Sequence, residues 1–335
     1  MRTVLVTGGA GFIGSHLVDQ LLEGGAAVRV LDNLSTGSLV NLQAAAERHS
    51  REGAVVNGGR LEVVIGDVRD KGAVRKALRN VKYVFHLAAL PASSVAGKES
   101  ADVHAVNVEG TLNLLHGALT EGVWRIVLAS CASVYGVPDA APVGEDAPLR
   151  PTTLFGASKV AAETYCQAFQ ARHQLETVIL RYFNVYGPRQ KAVPGGPILP
   201  NLLEAVRQRR RLVDYTNTGT YDFIYVDDAV AAALAAVRAP RATGHAVNIG
   251  SGQITSIDAV VRILSDLLRI SHVPGFMKSS EVEPRHIAAE TSRALKLLDF
   301  SARTSLVAGL ARLVRVLSEA DQPDYPALAP VGLDD

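Results

Sequence analysis

The strongest indication of the fold of this chain is the stretch Thr7-Gly8-Gly9-Ala10-Gly11-Phe12-Ile13-Gly14-Ser15-His16. It follows the strand-like residues 3–6 and precedes an apolar helical run, so it predicts a glycine loop between a strand and a helix. Glycine has no Cβ, which lets backbone N–H groups approach a pyrophosphate, and the amino terminus of the helix adds a favourable dipole. The stretch therefore predicts a dinucleotide-binding site.

An acidic residue at the end of the next predicted strand indicates which dinucleotide is bound. Asp32 lies 18 residues after Gly14, in the run Val28-Arg29-Val30-Leu31-Asp32-Asn33. A carboxylate there accepts hydrogen bonds from both ribose hydroxyls of NAD and repels the 2′-phosphate of NADP. Asp67 ends the third predicted strand in the same way, where it either contacts the adenine or is a plain turn acid.

Short apolar runs recur along the first half of the chain, with intervals long enough for helices between them. They cover residues 3–6, 28–31, 61–65, 83–87, 126–129 and 177–180. Strands of this kind are typical of a parallel sheet covered on both faces, so we predict a Rossmann-like, doubly wound α/β fold. The pattern changes after Asn184, and one more strand of the sheet is expected near residues 246–250.

Composition excludes several classes of protein. The chain has 335 residues, of which 48% are apolar and 20% charged, and its net charge of +1 gives no reason to expect nucleic acid or an anionic membrane as partner. Cys131 and Cys166 are too few for a disulfide framework and lack the spacing of a zinc site, so no metal is expected. We see no signal peptide and no apolar run of about 18 residues, and we expect a cytoplasmic protein.

The sequence resembles the extended short-chain dehydrogenase/reductases, in particular the NAD-dependent sugar epimerases and dehydratases. Besides the glycine loop and Asp32, the motifs that carry the resemblance are Gly66-Asp67, His86-Leu87-Ala88-Ala89, Asn107-Val108-Glu109-Gly110-Thr111, Ser133-Val134-Tyr135-Gly136, Ser158-Lys159, Arg181-Tyr182-Phe183-Asn184-Val185-Tyr186-Gly187-Pro188 and Asp222-Phe223-Ile224-Tyr225-Val226. The resemblance implies a Rossmann domain for NAD at residues 1–184 and a smaller α/β substrate-binding domain at 185–320. A loose tail at residues 321–335 and a homodimer are also expected.

The resemblance further implies a set of residues that hold NAD. They are Gly8, Gly11, Phe12, Ile13, Gly14, Asp32, Asn33, Asp67, Val68, Leu87, Ala88, Ala89, Asn107 and Lys159. Members of the family oxidise a sugar hydroxyl, act on the resulting ketone and return the hydride, so that the reaction has no net redox change.

Two departures from the family pattern fall on the expected catalytic residues. The family has a tyrosine four residues before the lysine, and its phenolate takes the hydroxyl proton; this chain has Phe155, on the same helix face as Lys159. Cys131 stands where most members have serine or threonine to hydrogen-bond the reacting oxygen. A thiol is a poorer donor but a titratable one.

A third departure concerns the substrate. Relatives that bind nucleoside diphosphate sugars usually have an arginine just before the Asp222-Phe223-Ile224-Tyr225-Val226 motif and another near the carboxy terminus. This chain has Tyr221 at the first place and aligns Ser280 with the second. The loss of two such anchors favours a substrate without a diphosphate, unless Arg285 or the run Arg209-Arg210-Arg211 compensates. The residues expected to bind substrate are Ser133, Asn184, Tyr221 and Arg285.

Three explanations of Phe155 remain open. It is an engineered replacement of tyrosine, or it is natural in an enzyme whose base has moved, or the protein is a catalytically inactive binder. For a moved base, Cys131 is the first candidate and Lys159 the second, and more distant ones are Tyr135, Tyr186 and Tyr221. Cysteine at position 131 resembles the exo-glycal-forming dehydratases of nucleoside-antibiotic biosynthesis, of tunicamycin and angustmycin type.

These considerations predict a redox-neutral, NAD-dependent lyase that eliminates water by a 5,6-elimination from a nucleoside or small glycoside. The alternatives are a 4-epimerase of UDP-sugars or other nucleotide sugars, and an NAD-holding binding protein without turnover.

Overall fold

A computed structural model describes residues 3–49, 60–90, 100–193, 196–208, 219–270 and 286–320. The strands in chain order are β1 (Thr3–Thr7), β2 (Ala27–Asp32), β3 (Leu61–Ile65), β4 (Val81–His86), β5 (Arg125–Cys131), β6 (Glu176–Tyr182), β7 (Asn184–Tyr186), β8 (Thr220–Tyr221), β9 (Phe223–Tyr225), β10 (Ala246–Ile249), β11 (Thr255–Ser256) and β12 (His286–Ile287). The α-helices are α1 (Phe12–Glu23), α2 (Val40–His49), α3 (Lys71–Leu78), α4 (Ser100–His104), α5 (Gly110–Glu121), α6 (Leu154–His173), α7 (Ile198–Arg207), α8 (Val226–Arg238), α9 (Ile257–Leu267), α10 (Ser292–Leu298) and α11 (Leu306–Ala320).

Seven strands form one parallel sheet in the order β10-β6-β5-β4-β1-β2-β3. The order reverses between β1 and β4, and ligands of open α/β sheets bind in the crevice at the carboxyl ends of the strands at such a point. The glycine loop follows β1, and residues 87–90 follow β4, so both meet at this crevice. The predicted Rossmann-like, doubly wound fold is confirmed.

The core lies in two layers, one on each face of the sheet. Alternate residues of a strand point to opposite faces, and in β1 Val4 and Val6 join one apolar layer while Leu5 joins the other. The first layer includes apolar residues of α1, α2 and α8, and the second includes those of α3, α5 and α6. Because both faces are covered, the strands are apolar along their whole length, which is the pattern seen in the sequence.

The run Tyr221-Asp222-Phe223-Ile224-Tyr225-Val226 reads as one strand but forms two. Tyr221 pairs within a small sheet of β11, β8 and β12, whereas Phe223 begins β9, which pairs with β7. Asp222 lies between them, fully buried, and its carboxylate accepts hydrogen bonds from Ser251 N and Oγ, Gly252 N and Ala289 N at 2.6–3.0 Å. These four donors turn the chain at Asp222 and tie three segments together.

The strand expected near residues 246–250 is β10, which pairs with β6 at the edge of the main sheet. Helix α10 was not predicted from the sequence. The domain boundaries at residues 184 and 320 remain predictions, and the tail at 321–335 lies outside the described residues.

Candidate active site

The glycine loop wraps closely around the carboxyl end of β1. Gly8 has a φ of +70°, and a Cβ there would lie 2.7 Å from the backbone N of Ala88. A Cβ on Gly14 would overlap the carbonyl oxygen of Gly8, so helix α1 passes directly over the loop. Gly11 precedes the first residue of α1 and no side chain caps this helix, which leaves the N–H groups of Phe12 and Ile13 without a side-chain acceptor. Such a terminus fits a pyrophosphate.

Asp32 and Asp67 stand at the ends of neighbouring strands but in different states. The Asp32 carboxylate accepts hydrogen bonds from Ala10 N at 2.9 Å and Leu34 N at 2.8 Å, which fixes it beside the loop with acceptor sites left for ribose hydroxyls. Both carboxylate oxygens of Asp67 accept hydrogen bonds, from Arg69 and from the Asn33 amide. Hydrogen bonding from Arg69 lowers the pKa of Asp67 to about 2. The geometry therefore favours Asp67 as a turn acid, and its contact with adenine remains a prediction.

A network of buried hydrogen bonds connects β1, which precedes the glycine loop, through β4 to helix α5. His86 Nδ1 lies 2.7 Å from Thr7 Oγ1, and His86 Nε2 lies 2.9 Å from Thr111 Oγ1, which donates to Asn107 O. Ala88 N donates to Thr7 Oγ1 at 3.3 Å. Burial lowers the pKa of His86 to about 3, with a smaller effect from the Lys159 charge, so the imidazole is neutral in this chain of contacts.

Replacing His86 by glutamine is expected to flatten the acid limb of the stability curve. The folded protein excludes the proton that an unfolded histidine binds below its usual pKa of about 6.5, so stability falls as the pH drops from there toward 3. Between pH 6.5 and 5.0 the wild type is expected to lose about 1.5–2 kcal/mol more unfolding free energy than H86Q. Urea unfolding at a series of pH values measures this, and parallel curves for the two proteins would contradict it.

Asn107 lies in a π-helical turn, Ala105–Glu109, between α4 and α5. Its Oδ1 accepts from Leu90 N at 2.7 Å, and its Nδ2 donates to Leu90 O and to Ser158 Oγ at 3.2 and 2.9 Å. The amide thereby ties the segment after β4 to the helix that carries Lys159. All these atoms are engaged within the protein, so the predicted contact between Asn107 and the cofactor remains a prediction.

Helix α6 places Phe155 and Lys159 side by side, as their spacing predicts. It begins after Thr153, whose Oγ1 accepts from Gly156 N at 3.0 Å. Lys159 is 4% exposed; its Nζ donates to Ala129 O at 2.8 Å and lies 5.7 Å from the centre of the Phe155 ring. Burial lowers the pKa of Lys159, although Cys131 and Glu163 oppose that shift.

Cys131 ends β5, two residues beyond the carbonyl that Lys159 contacts, and is half-buried. Burial raises the pKa of its thiol, while Lys159 and hydrogen bonding with Ser133 act in the opposite direction. The pKa of the amine is therefore shifted down and that of the thiol up, which is the arrangement of a base beside an acid.

Two of the tyrosines considered as alternative bases are engaged elsewhere. Tyr135 and Tyr186 are each 1% exposed. Tyr135 donates to Asn248 Oδ1 at 2.6 Å and burial raises its pKa to about 12, whereas Tyr186 contacts Leu306 O at 3.3 Å and burial raises its pKa further. Neither is suited to take a proton at neutral pH.

The structure describes three of the four residues predicted to bind substrate. Ser133 lies in a 3-10 turn directly after Cys131, and Asn184 begins β7, with its amide donating to Asp222 O at 3.0 Å. Tyr221 is half-buried in β8, with its ring 6.1 Å from that of Phe223. Arg285, Ser280 and the run Arg209-Arg210-Arg211 lie outside the described residues.

Other predicted cofactor residues line the crevice or support it. Leu87, Ala88 and Ala89 follow β4 half-buried, beside Gly8. The Val68 side chain is instead packed in the apolar core, next to Gly110. Sequence reasoning missed a buried carboxylate, Glu163, one turn after Lys159 on α6; that i, i+4 spacing was the signal that could have revealed it.

Comparison with known proteins identifies the family of this chain. The sequence model described as the NAD dependent epimerase/dehydratase family matches residues 4–250. The chain belongs to this family. Like its other members, this epimerase/dehydratase-family enzyme uses NAD, and the open helix terminus, the glycine cradle and Asp32 fit that dinucleotide. No helix in the described ranges is long and apolar enough to cross a membrane.

Relatives within the family carry different activities. The chain is 33% identical to the UDP-glucose 4-epimerase of Mycolicibacterium smegmatis, over 96% of this chain and 100% of that one. It shares 29% identity and a TM-score of 0.84 with a tyrosine-to-phenylalanine mutant of the Bacillus cereus UDP-glucuronic acid 4-epimerase, solved with UDP-4-deoxy-4-fluoro-glucuronic acid and NAD, covering 95% and 100% of the two chains. The dTDP-glucose 4,6-dehydratase of Streptomyces venezuelae, solved with NAD, gives the same identity and TM-score and covers 95% and 97%.

Proposed function

We propose that this enzyme modifies a sugar without net redox change, with Lys159 as base and the Cys131 thiol as acid, and that it eliminates water. The observation that carries the proposal is the position of Lys159, which is 4% exposed, lies against the Phe155 ring and donates from Nζ to Ala129 O at 2.8 Å, two residues before Cys131 at the end of β5. The directions in which burial moves the two pKa values, down for the amine and up for the thiol, agree with a base and an acid. Phe155 has no hydroxyl, so the proton-transfer groups at this point of the site are those two.

Bound NAD, held by the glycine loop and Asp32, would supply a reversible hydride acceptor for the sugar carbon. Lys159 takes the proton of the sugar hydroxyl, which Phe155 cannot do. The resulting ketone acidifies the neighbouring C–H bond. The Cys131 sulfur takes that C–H proton while its own thiol proton passes to the departing hydroxyl, so that the C–O bond breaks, a C=C bond forms and one water leaves with the thiol restored. Lys159 gives the hydroxyl proton back when the ketone is reduced again. An acid of this kind is useful for elimination, whereas epimerisation needs no leaving-group proton.

A 4-epimerase acting on nucleotide sugars is the second candidate, and the relatives support it. The M. smegmatis enzyme, matched over 96% of this chain and its own full length, is a UDP-glucose 4-epimerase. This alternative assigns Lys159 the same role and treats Cys131 as a hydrogen-bond donor to the reacting oxygen. The relatives also make a nucleotide sugar the first substrate to test, ahead of the nucleoside or small glycoside that the missing arginines favour.

Replacing Cys131 by alanine is expected to lower water loss at least about a hundredfold, because the departing hydroxyl loses its proton donor. The holoenzyme is incubated with UDP-glucose, UDP-N-acetylglucosamine, dTDP-glucose or adenosine analogues, and products are followed by mass spectrometry. Dehydration gives a loss of about 18 Da without net NADH, whereas epimerisation keeps the mass.

Two variants serve as controls for that experiment. C166A removes the other cysteine, which is fully buried in the core, and is expected to leave turnover nearly unchanged. C131S restores the hydroxyl usual in the family and is expected to retain part of the activity. Unchanged dehydration in C131A, or a product of unchanged mass from the wild type, would overturn the proposal.

A further inference from the structure

A buried ion pair lies directly beside the Lys159 and Cys131 pair and has no role in the steps above. Glu163 is 1% exposed and Arg181 is 3% exposed. Arg181 Nε lies 3.1 Å from both carboxylate oxygens of Glu163, and Arg181 Nη2 lies 2.7 Å from Glu163 Oε2. Such a pair is costly to bury, and breaking it by removing one partner leaves an uncompensated charge in the interior.

The pair connects three elements at the point where β5 ends. Glu163 follows Lys159 by one turn of α6, and its carboxylate accepts a hydrogen bond from Ser130 Oγ. In the register of β5 and β6, Ser130 lies opposite Arg181, and Cys131 lies opposite Tyr182. Helix α6 thus contacts two consecutive residues of β5, Ala129 through Lys159 and Ser130 through Glu163, immediately before Cys131.

The charges around the thiol and the amine come from few groups in the described structure. Burial has the largest effect on both pKa values, and Glu163 on α6 acts to raise each of them: it adds to the raised pKa of Cys131 and opposes the lowered pKa of Lys159. From β4, His86 is neutral, and the buried Cys166 thiol, also on α6, keeps its proton because burial raises its pKa to about 12. The Arg181 guanidinium on β6 stays charged and is paired with the Glu163 carboxylate.

We propose that Glu163 and Arg181 are positioning residues that hold the end of β5 against α6 and set, by their opposing charges, the electrostatic environment of Cys131 and Lys159. The inference rests on the acid and base roles proposed above for those two residues. It gives the ion pair a function in proton transfer, beyond its contribution to packing.

Neutral substitutions of Glu163 and Arg181, made one at a time, test the inference through the reactivity of the Cys131 thiol. The rate of Cys131 alkylation by iodoacetamide is measured from pH 7 to 10.5 in the NAD-bound protein, and peptide mass spectrometry separates Cys131 from Cys166. E163Q removes the negative charge and is expected to shift the alkylation midpoint to lower pH. R181Q leaves Glu163 without its cationic partner and is expected to shift the midpoint to higher pH. Shifts of about half a pH unit, or threefold in rate at fixed pH, are expected.

The opposite signs separate this role from a structural one. Loss of packing alone would move both variants in the same direction, and that result, or two unshifted midpoints, would overturn the inference. The matched control is E176Q, which breaks the Arg125–Glu176 pair at the other end of the same two strands and is expected to leave the midpoint unchanged. Alkylation needs no turnover, so failure here is distinguishable from failure of the proposed reaction.

S130A provides an alternative test if either charge variant does not fold. It keeps both charges but removes the hydrogen bond between Glu163 and β5. Release of the strand end is expected to speed Cys131 alkylation about threefold at fixed pH, with the midpoint unshifted. An unchanged rate would overturn the positioning role.

Discussion

Replacing Lys159 by glutamine is expected to lower kcat by about a thousandfold, the range lost when a general base is removed. Lys159 is a buried amine that lies against the Phe155 ring and next to the strand end that carries Cys131, so its loss removes the proposed base. The NAD content of the purified variant, measured after denaturation, shows how much of the loss comes from the cofactor. Turnover is measured with the substrate that the wild type converts.

Arginine at position 159 distinguishes a role of Lys159 as a base from a role as a positive charge. Arg keeps a positive charge but does not deprotonate at working pH, so K159R is expected to be as inactive as K159Q. Substantial activity in K159R would show that only the charge matters. K82Q is the matched control, because Lys82 Nζ also donates to a backbone carbonyl, that of Gly122, far from the crevice. It is expected to keep wild-type turnover.

Replacing Gly14 by alanine is expected to abolish NAD binding and to destabilise the protein by about 3 kcal/mol. The added Cβ would overlap the Gly8 carbonyl oxygen and lie 2.8 Å from Gly9 Cα, and these are backbone atoms that cannot rotate away. Helix α1 must then shift off the loop, which removes the pyrophosphate cradle. Thermal unfolding is expected to start roughly 6–12 °C lower, and the purified protein to contain no NAD.

Gly144 provides the control for this substitution. A Cβ at Gly144 would meet no heavy atom within 4 Å, so G144A is expected to change neither the unfolding temperature nor the NAD content by a measurable amount. Wild-type NAD content in G14A would mean that the loop accommodates the methyl group and that the close packing of α1 is not required.

Prediction from the sequence succeeded where the signal is local. The glycine spacing and Asp32 depend on one strand, one loop and one helix, and their placement at the crevice is as expected. Phe155 and Lys159 are four residues apart on one helix, so their contact follows from helical geometry. The family and its cofactor follow from many such local motifs in fixed order.

Prediction failed where distant segments meet. Nothing in the run from residue 221 to 226 indicates that Asp222 divides it, because the four donors that hold its carboxylate come from residues 251, 252 and 289. The partners of the Asn107 amide, Leu90 and Ser158, were likewise not indicated by the sequence, and the contact of Asn107 with the cofactor remains a prediction. A side chain's partners depend on the packing of elements far apart in the chain.

Residue type and short-range spacing were enough to specify the doubly wound fold, the use of NAD and the absence of a hydroxyl at residue 155. The packing of distant segments was needed to show in which direction the pKa values of Lys159 and Cys131 move. Burial shifts the pKa of Lys159 down and that of Cys131 up, and the Glu163–Arg181 pair stands beside them because β5, β6 and α6 converge there. Desolvation and charge proximity are properties of the packed interior, and no spacing rule in the sequence specifies them.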